Sequence, residues 1–200
     1  MTNHDGHQLG AEAAHRLARL GCCTIEQGLS DAEFDEIEGL YGFQFAEDHR
    51  DFLSVGLPVS SPPREGASWN NPWPDWRNGG PDLLRKHLSW PERGVAREIE
   101  IGLWKPEWGL RPADPEAAIS LSRNLLKEAP RLAPVYGHRF LPAGPGYARH
   151  PILSIWGTDI VPYGENLIAY VGNEFDEESE TPQYDARPQV TVTFWRDFIL

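Results

Sequence analysis

Apolar residues recur at helical spacing in the first quarter of the chain and at alternate positions in much of the second half. Residues 1–10 are polar, contain Gly and His, offer nothing to bury and are expected to be a flexible tail. Over 11–20, Ala14, Leu17 and Ala18 line one side of a short helix that Gly21 stops. Ser30-Asp31-Ala32-Glu33 is a capping box, in which the serine oxygen and the glutamate carboxylate satisfy each other's orphan amides. Phe34, Ile37 and Leu40 or Tyr41 then form the buried face of that helix. After Gly42, Phe43-Gln44-Phe45 leads into a second short helix over 47–54, closed by Phe52 and Leu53 before Gly56. Two short helices therefore pack close together near the N-terminus.

Residues 58–81 follow neither period. Pro58, Pro62, Pro63, Pro72 and Pro74, the indoles of Trp69, Trp73 and Trp76, and the turn signal Asn78-Gly79-Gly80 predict a long irregular loop. A short helix resumes over 82–88. Over 95–104, Ile99, Ile101 and Leu103 alternate as in a half-buried strand, which places Glu98 and Glu100 on its solvated face. A helix over 116–129 carries Ile119, Leu121, Leu125 and Leu126 and ends before Pro130. Strands are predicted over 133–141, 152–156 and 190–194, with a helix over 165–175. Helices first and strands mainly later point to an α+β chain.

Charge narrows the partners. Eighteen Lys and Arg against thirty Asp and Glu give a net charge of −12, which repels polyanions and argues against a general nucleic-acid binder. A basic partner would be attracted. No run approaches a membrane span, and the first 23 residues lack the layout of a signal peptide, so the expected location is the cytoplasm. Cys22 and Cys23 are neighbours with no metal spacing and no loop to cross-link, and are read as reduced thiols.

Catalytic and cofactor signatures are missing. Gly144-Pro145-Gly146 is a turn rather than a phosphate loop, the histidines have no zinc spacing, and His138 reads as a structural hydrogen bonder. No catalytic residue, metal or cofactor is expected; a hydrolase using Glu98, Glu100 or Asp159 is the enzymatic alternative, and it requires those acids to converge. Tryptophan carries more information, since there are eight. In Trp73-Pro74-Asp75-Trp76-Arg77 the indoles either plug a core from a loop or anchor a partner. Asp176-Glu177-Glu178-Ser179-Glu180 is either a solvated loop or an electrostatic lure for a basic protein.

Several segments together resemble the SUKH superfamily, which includes bacterial immunity proteins and the fungal Smi/Knr regulators of cell-wall assembly. The opening match is 29–38, then Tyr41-Gly42-Phe43 and Asp48-His49-Arg50-Asp51-Phe52-Leu53, with Ala46 where many members have proline. A bacterial branch is matched in order by Trp76-Arg77, Leu88-Ser89-Trp90-Pro91, Trp108-Gly109-Leu110-Arg111-Pro112 and residues 136–142. Pro151-Ile152-Leu153-Ser154-Ile155-Trp156, Thr158-Asp159-Ile160, Tyr163-Gly164 and Glu174-Phe175 continue the series, and Phe194-Trp195 extends it. The resemblance implies one SUKH-like domain over 11–200, an α+β fold with a single antiparallel sheet flanked by helices, no cofactor and no catalytic residue. It implies action by binding, as in an immunity protein that neutralises a toxin, with an envelope or signalling adaptor as the regulatory alternative. The expected contact surface is Trp69, Trp73, Asp75 and Trp76 together with Glu174, Asp176, Glu177 and Glu178. Within it Trp69 and Trp73 are the preferred contacts, whereas Trp76, Trp90, Trp108 and Trp195 fall in matched segments and are assigned to the core.

Overall fold

A computed structural model describes residues 4–61, 65, 66, 69, 71–176 and 190–199. The chain is α+β, with seven α-helices and two antiparallel sheets among the described residues. The order is α1 (His4–Leu20), β1 (Thr24–Gln27), α2 (Asp31–Tyr41), α3 (Glu47–Val55), β2 (Gly56–Val59), α4 (Pro81–Leu88), α5 (Trp90–Glu100) and α6 (Pro115–Glu128). Then come β3 (Leu132–Tyr136), β4 (Arg139–Pro142), β5 (Leu153–Trp156), β6 (Asp159–Pro162) and α7 (Leu167–Phe175). Short 3₁₀ turns occupy Pro106–Trp108 and Trp195–Phe198. The single sheet expected from the resemblance is corrected to two: β1 pairs with β2 alone, and β3-β4-β5-β6 form a meander.

Alternation along the meander explains the layering. Ala133, Val135 and Leu141 belong to one core with Leu17, Phe34, Phe52, Tyr170 and the buried indoles of Trp73 and Trp76. Leu132, Phe140, Leu153 and Ile155 face a second core with Val95, Ile99, Leu126, Val192 and Trp195. The sheet is thus covered by α1, α3 and α7 on one face and by α5, α6 and the C-terminal segment on the other. Local signals set the ends of these elements: Ser30 and Glu33 form the reciprocal cap, Gly42 closes α2 in the left-handed region at φ 68°, and Asp114 caps α6 by accepting the Glu116 and Ala117 amides.

Three local expectations are overturned. Residues 95–104 are not a strand: Pro91, Val95 and Ile99, four apart, form the buried stripe of α5, and Ile101 lies exposed just beyond its end. Glu98 and Glu100 consequently stand on different sides of a helix. Residues 190–194 form no strand; Val192, Trp195 and Phe198 are buried at three-residue spacing through an irregular turn into 3₁₀ structure, with Phe194 at φ 70°. The expected tail at 1–10 is helical from His4. Leu9 joins the core, and Gly10 lets α1 lie directly against α3, since a Cβ there would stand 2.1 Å from the Asp48 carbonyl oxygen.

Candidate functional site

The proline-rich loop divides its indoles between two surroundings. Trp73 is 3% exposed, stacked on Phe175 at 5.3 Å and edge-on to Tyr136 at 4.8 Å. Its backbone is pinned by Ser60, whose hydroxyl accepts the Trp73 amide at 2.9 Å. Trp76, 4% exposed, packs against Phe45 at 5.1 Å and Phe43 at 6.1 Å. Arg77 ties the loop to β1 and α2, donating to Glu33 at 2.6 Å and to the Gln27 and Gly28 carbonyls. That guanidinium, with the Ser30 amide and hydroxyl, holds the Glu33 carboxyl down at about 2. Trp73 and Trp76 are therefore core residues and are withdrawn from the contact surface. Asp75 turns the loop, accepting the Asn78 amide at 2.8 Å.

Trp69 is half-buried between two helices. Its ring lies 4.8 Å from His87 of α4 and 4.9 Å from Trp90 of α5. Trp90 donates its indole N–H to the Ile155 carbonyl at 3.1 Å and meets Trp156 at 5.4 Å, and His138 stands edge-on to Trp156 at 5.7 Å. Trp156 is 58% exposed, so the series ends in solvent. Beside Trp69 and Trp90 opens a cleft of about 610 Å³ whose wall includes Asp75, Leu83, Lys86 and Arg93. His87 forms part of its floor: its Nε2 bonds the Gly137 carbonyl at 2.6 Å and so carries the proton. Burial lowers its pKa to about 4, leaving the ring neutral.

Neither Glu174 nor Asp176 joins this surface. Glu174 accepts from Arg139 at 3.1 Å, and Arg139 also donates to Ser154, contacts His138 and sits 4.1 Å from the Tyr163 ring centroid. Both partners are largely buried, so Glu174 belongs to an internal network between α7 and the sheet and is corrected from contact to structural residue. Asp176 pairs with Arg16 of α1 at 3.2 Å. Glu177 and Glu178 lie outside the described residues. Among the described residues no group of three or more His, Cys, Asp and Glu could hold a metal ion, and Cys22 and Cys23 are free thiols. Burial pushes the Cys23 thiol up to about 12, which makes it a poor nucleophile.

Of the site residues named from the sequence, Trp69 and Asp75 thus meet at the cleft. Trp90 joins them from α5, and Trp156 extends the surface beyond it. The signal for Trp156 lies in β5: with Leu153 and Ile155 turned inward, Trp156 must point the other way. No described helix is long and apolar enough to cross a membrane. No family model, curated protein or solved structure matches the chain.

Proposed function

We propose that this chain is a protein-binding domain without catalytic activity, a SUKH-like immunity protein that binds and neutralises a toxin in the cytoplasm. The observation that carries the binding role is Trp156, 58% exposed at the end of a continuous indole surface with Trp90 and Trp69. A half-exposed tryptophan backed by two others is the kind of residue that dominates interface energetics, and it supplies contact area with few torsions to freeze. The net charge of −12 favours a basic partner through its effect on association rate. Glu98 and Glu100 stand on different sides of α5, an arrangement that favours binding over a hydrolase built on that pair of carboxylates.

The test uses the full chain as bait in an extract of its source cells. A protein held by the wild type and released by Trp156→Ala, with the fold unchanged by circular dichroism, supports the reading. Capture unaffected by that substitution overturns the face, and no capture overturns the role. If the captured protein arrests growth when expressed alone, co-expression of this chain restores growth; persistent arrest overturns the immunity function.

A further inference from the structure

We propose that the cleft beside Trp69 and Trp90 is a binding site for a small planar aromatic anion, with the ring on the indoles and the acidic group on Lys86 and Arg93. The volume of about 610 Å³ falls in the ordinary range for small-ligand sites. Its aromatic wall has a directed shape. Trp69 and Trp90 stand 4.9 Å apart with their planes inclined at 55°, so a flat ring laid on one indole meets the other at an angle, an arrangement aromatic quadrupoles favour. Trp73, Pro74, Leu83 and Leu84 complete the apolar wall.

The charge in the wall is opposite to that of the molecule. Arg16, Arg50, Arg77, Arg85 and Arg139 each hold a carboxylate. Lys86 and Arg93 hold none among the described residues, although both line the cleft of a chain with a net charge of −12. The Arg93 guanidinium stands 5.9 Å from the Trp90 ring centroid, so an anion it binds is placed beside the indole rather than out in solvent. One carboxylate, Asp75, shares the wall, with an oxygen engaged by the Asn78 amide. Among the described residues of the wall, two cations against one acid leave the cleft locally positive, and aromatic walls with a positive rim select a ring bearing a carboxylate, sulfonate or phosphate. The neutral His87 below adds no charge of its own.

The site shares Trp69 and Trp90 with the face proposed for a protein partner, but ligand binding is measured on the chain alone, so either reading can fail without the other. The probe is 2-naphthoate, compared with its neutral isostere 2-naphthalenemethanol and with acetate. Indole N–H resonances of the full chain are followed by NMR, with Trp69 and Trp90 assigned from Trp→Phe variants. The expected result is saturable movement of the Trp69 and Trp90 signals with 2-naphthoate while buried Trp195 stays in place. The alcohol should bind about fivefold more weakly, and the Lys86→Ala/Arg93→Ala double variant should abolish that difference. An unmoved Trp195 signal shows that the variant is folded. The proposal is overturned by no saturable shift up to about 10 mM, by equal affinity for the naphthoate and the alcohol, by unchanged selectivity in the double variant, or by acetate binding as tightly as naphthoate.

Discussion

Trp69 and Trp73 sit four residues apart in one proline-rich loop and have opposite physical roles. Trp73 fills a slot between Phe52, Tyr136 and Phe175, where it joins α3, the sheet and α7 into one core. Trp69 is half-buried against His87 of α4 and Trp90 of α5, and the series continues from Trp90 to the half-exposed Trp156. Composition treats the two indoles alike. What separates them is the backbone between, since the Ser60 hydroxyl anchors Trp73 inward and the Gly137 amide donates to the Pro72 carbonyl at 2.7 Å, fixing where the chain turns. The inner indole is tied to stability, and the outer one lines the cleft proposed to take a ligand.

The sharpest way to break that contrast is Trp73→Ala. It should cost about 3–5 kcal/mol, the usual loss for emptying a large aromatic site in a core, measured as a lowered urea midpoint. A cost under about 1 kcal/mol would place Trp73 outside the core after all. Glu174→Ala comes next. Removing the carboxylate leaves the largely buried Arg139 unpaired and should cost about 3 kcal/mol by the same measurement. If it instead leaves stability unchanged and weakens a partner, Glu174 belongs to the outer face.

Acid probes both regions together, because each holds a buried histidine: His49 lies 5.1 Å from Phe45 under Trp76, and His87 lies under Trp69. Burial lowers His49 to about 3 and His87 to about 4, so both stay neutral in the fold while the unfolded chain takes up protons below about 6.5. Each then removes about 1.4 kcal/mol per pH unit on acidification. Asp48 acts oppositely: burial raises it to about 6, so the folded state binds its proton first and gains stability between pH 6 and 4. One uncompensated histidine remains, and stability should fall by about 1.4 kcal/mol per unit between pH 6 and 4. His138 and His150 are lowered by burial too and steepen the slope, and Glu92, raised by burial, offsets part of it. Denaturant titrations at stepped pH check this, and stability that instead rises as pH falls from 6 to 4, as Asp48 alone would give, would mean that the histidines are solvated.

Much of this architecture is legible in the sequence where a signal is local. The Ser30 and Glu33 cap, the Gly42 stop, the proline-bounded helix α6 and the inward alternation of β5 need only neighbouring residues to specify them. The failures come where two periods coincide or where a contact is remote. Ile99, Ile101 and Leu103 alternate like a strand, yet Pro91, Val95 and Ile99 also fit a helix, and packing against β5 and α6 chose the helix. Gly10 reads as looseness until α3 is placed against it. Glu174 reads as part of an acidic surface because its partner, Arg139, is 35 residues away on β4. The cleft was least legible, since Trp69, Lys86 and Arg93 come from a loop and two helices that only tertiary packing brings together.

The smallest expected effect on stability is the most discriminating. Trp156→Ala removes contacts to Trp90 and His138 on a side chain already 58% exposed, and should cost about 1 kcal/mol or less. Trp90 keeps its hydrogen bond to the Ile155 carbonyl in that variant, so the rest of the outer face stays in place. A near-native urea midpoint in Trp156→Ala, set beside the large loss in Trp73→Ala, would separate indoles that hold the fold from one whose burial must come from outside it. A loss of about 3 kcal/mol or more would instead make Trp156 part of the protein's own core, and the outer surface would then lose the exposed anchor on which the proposed binding role rests.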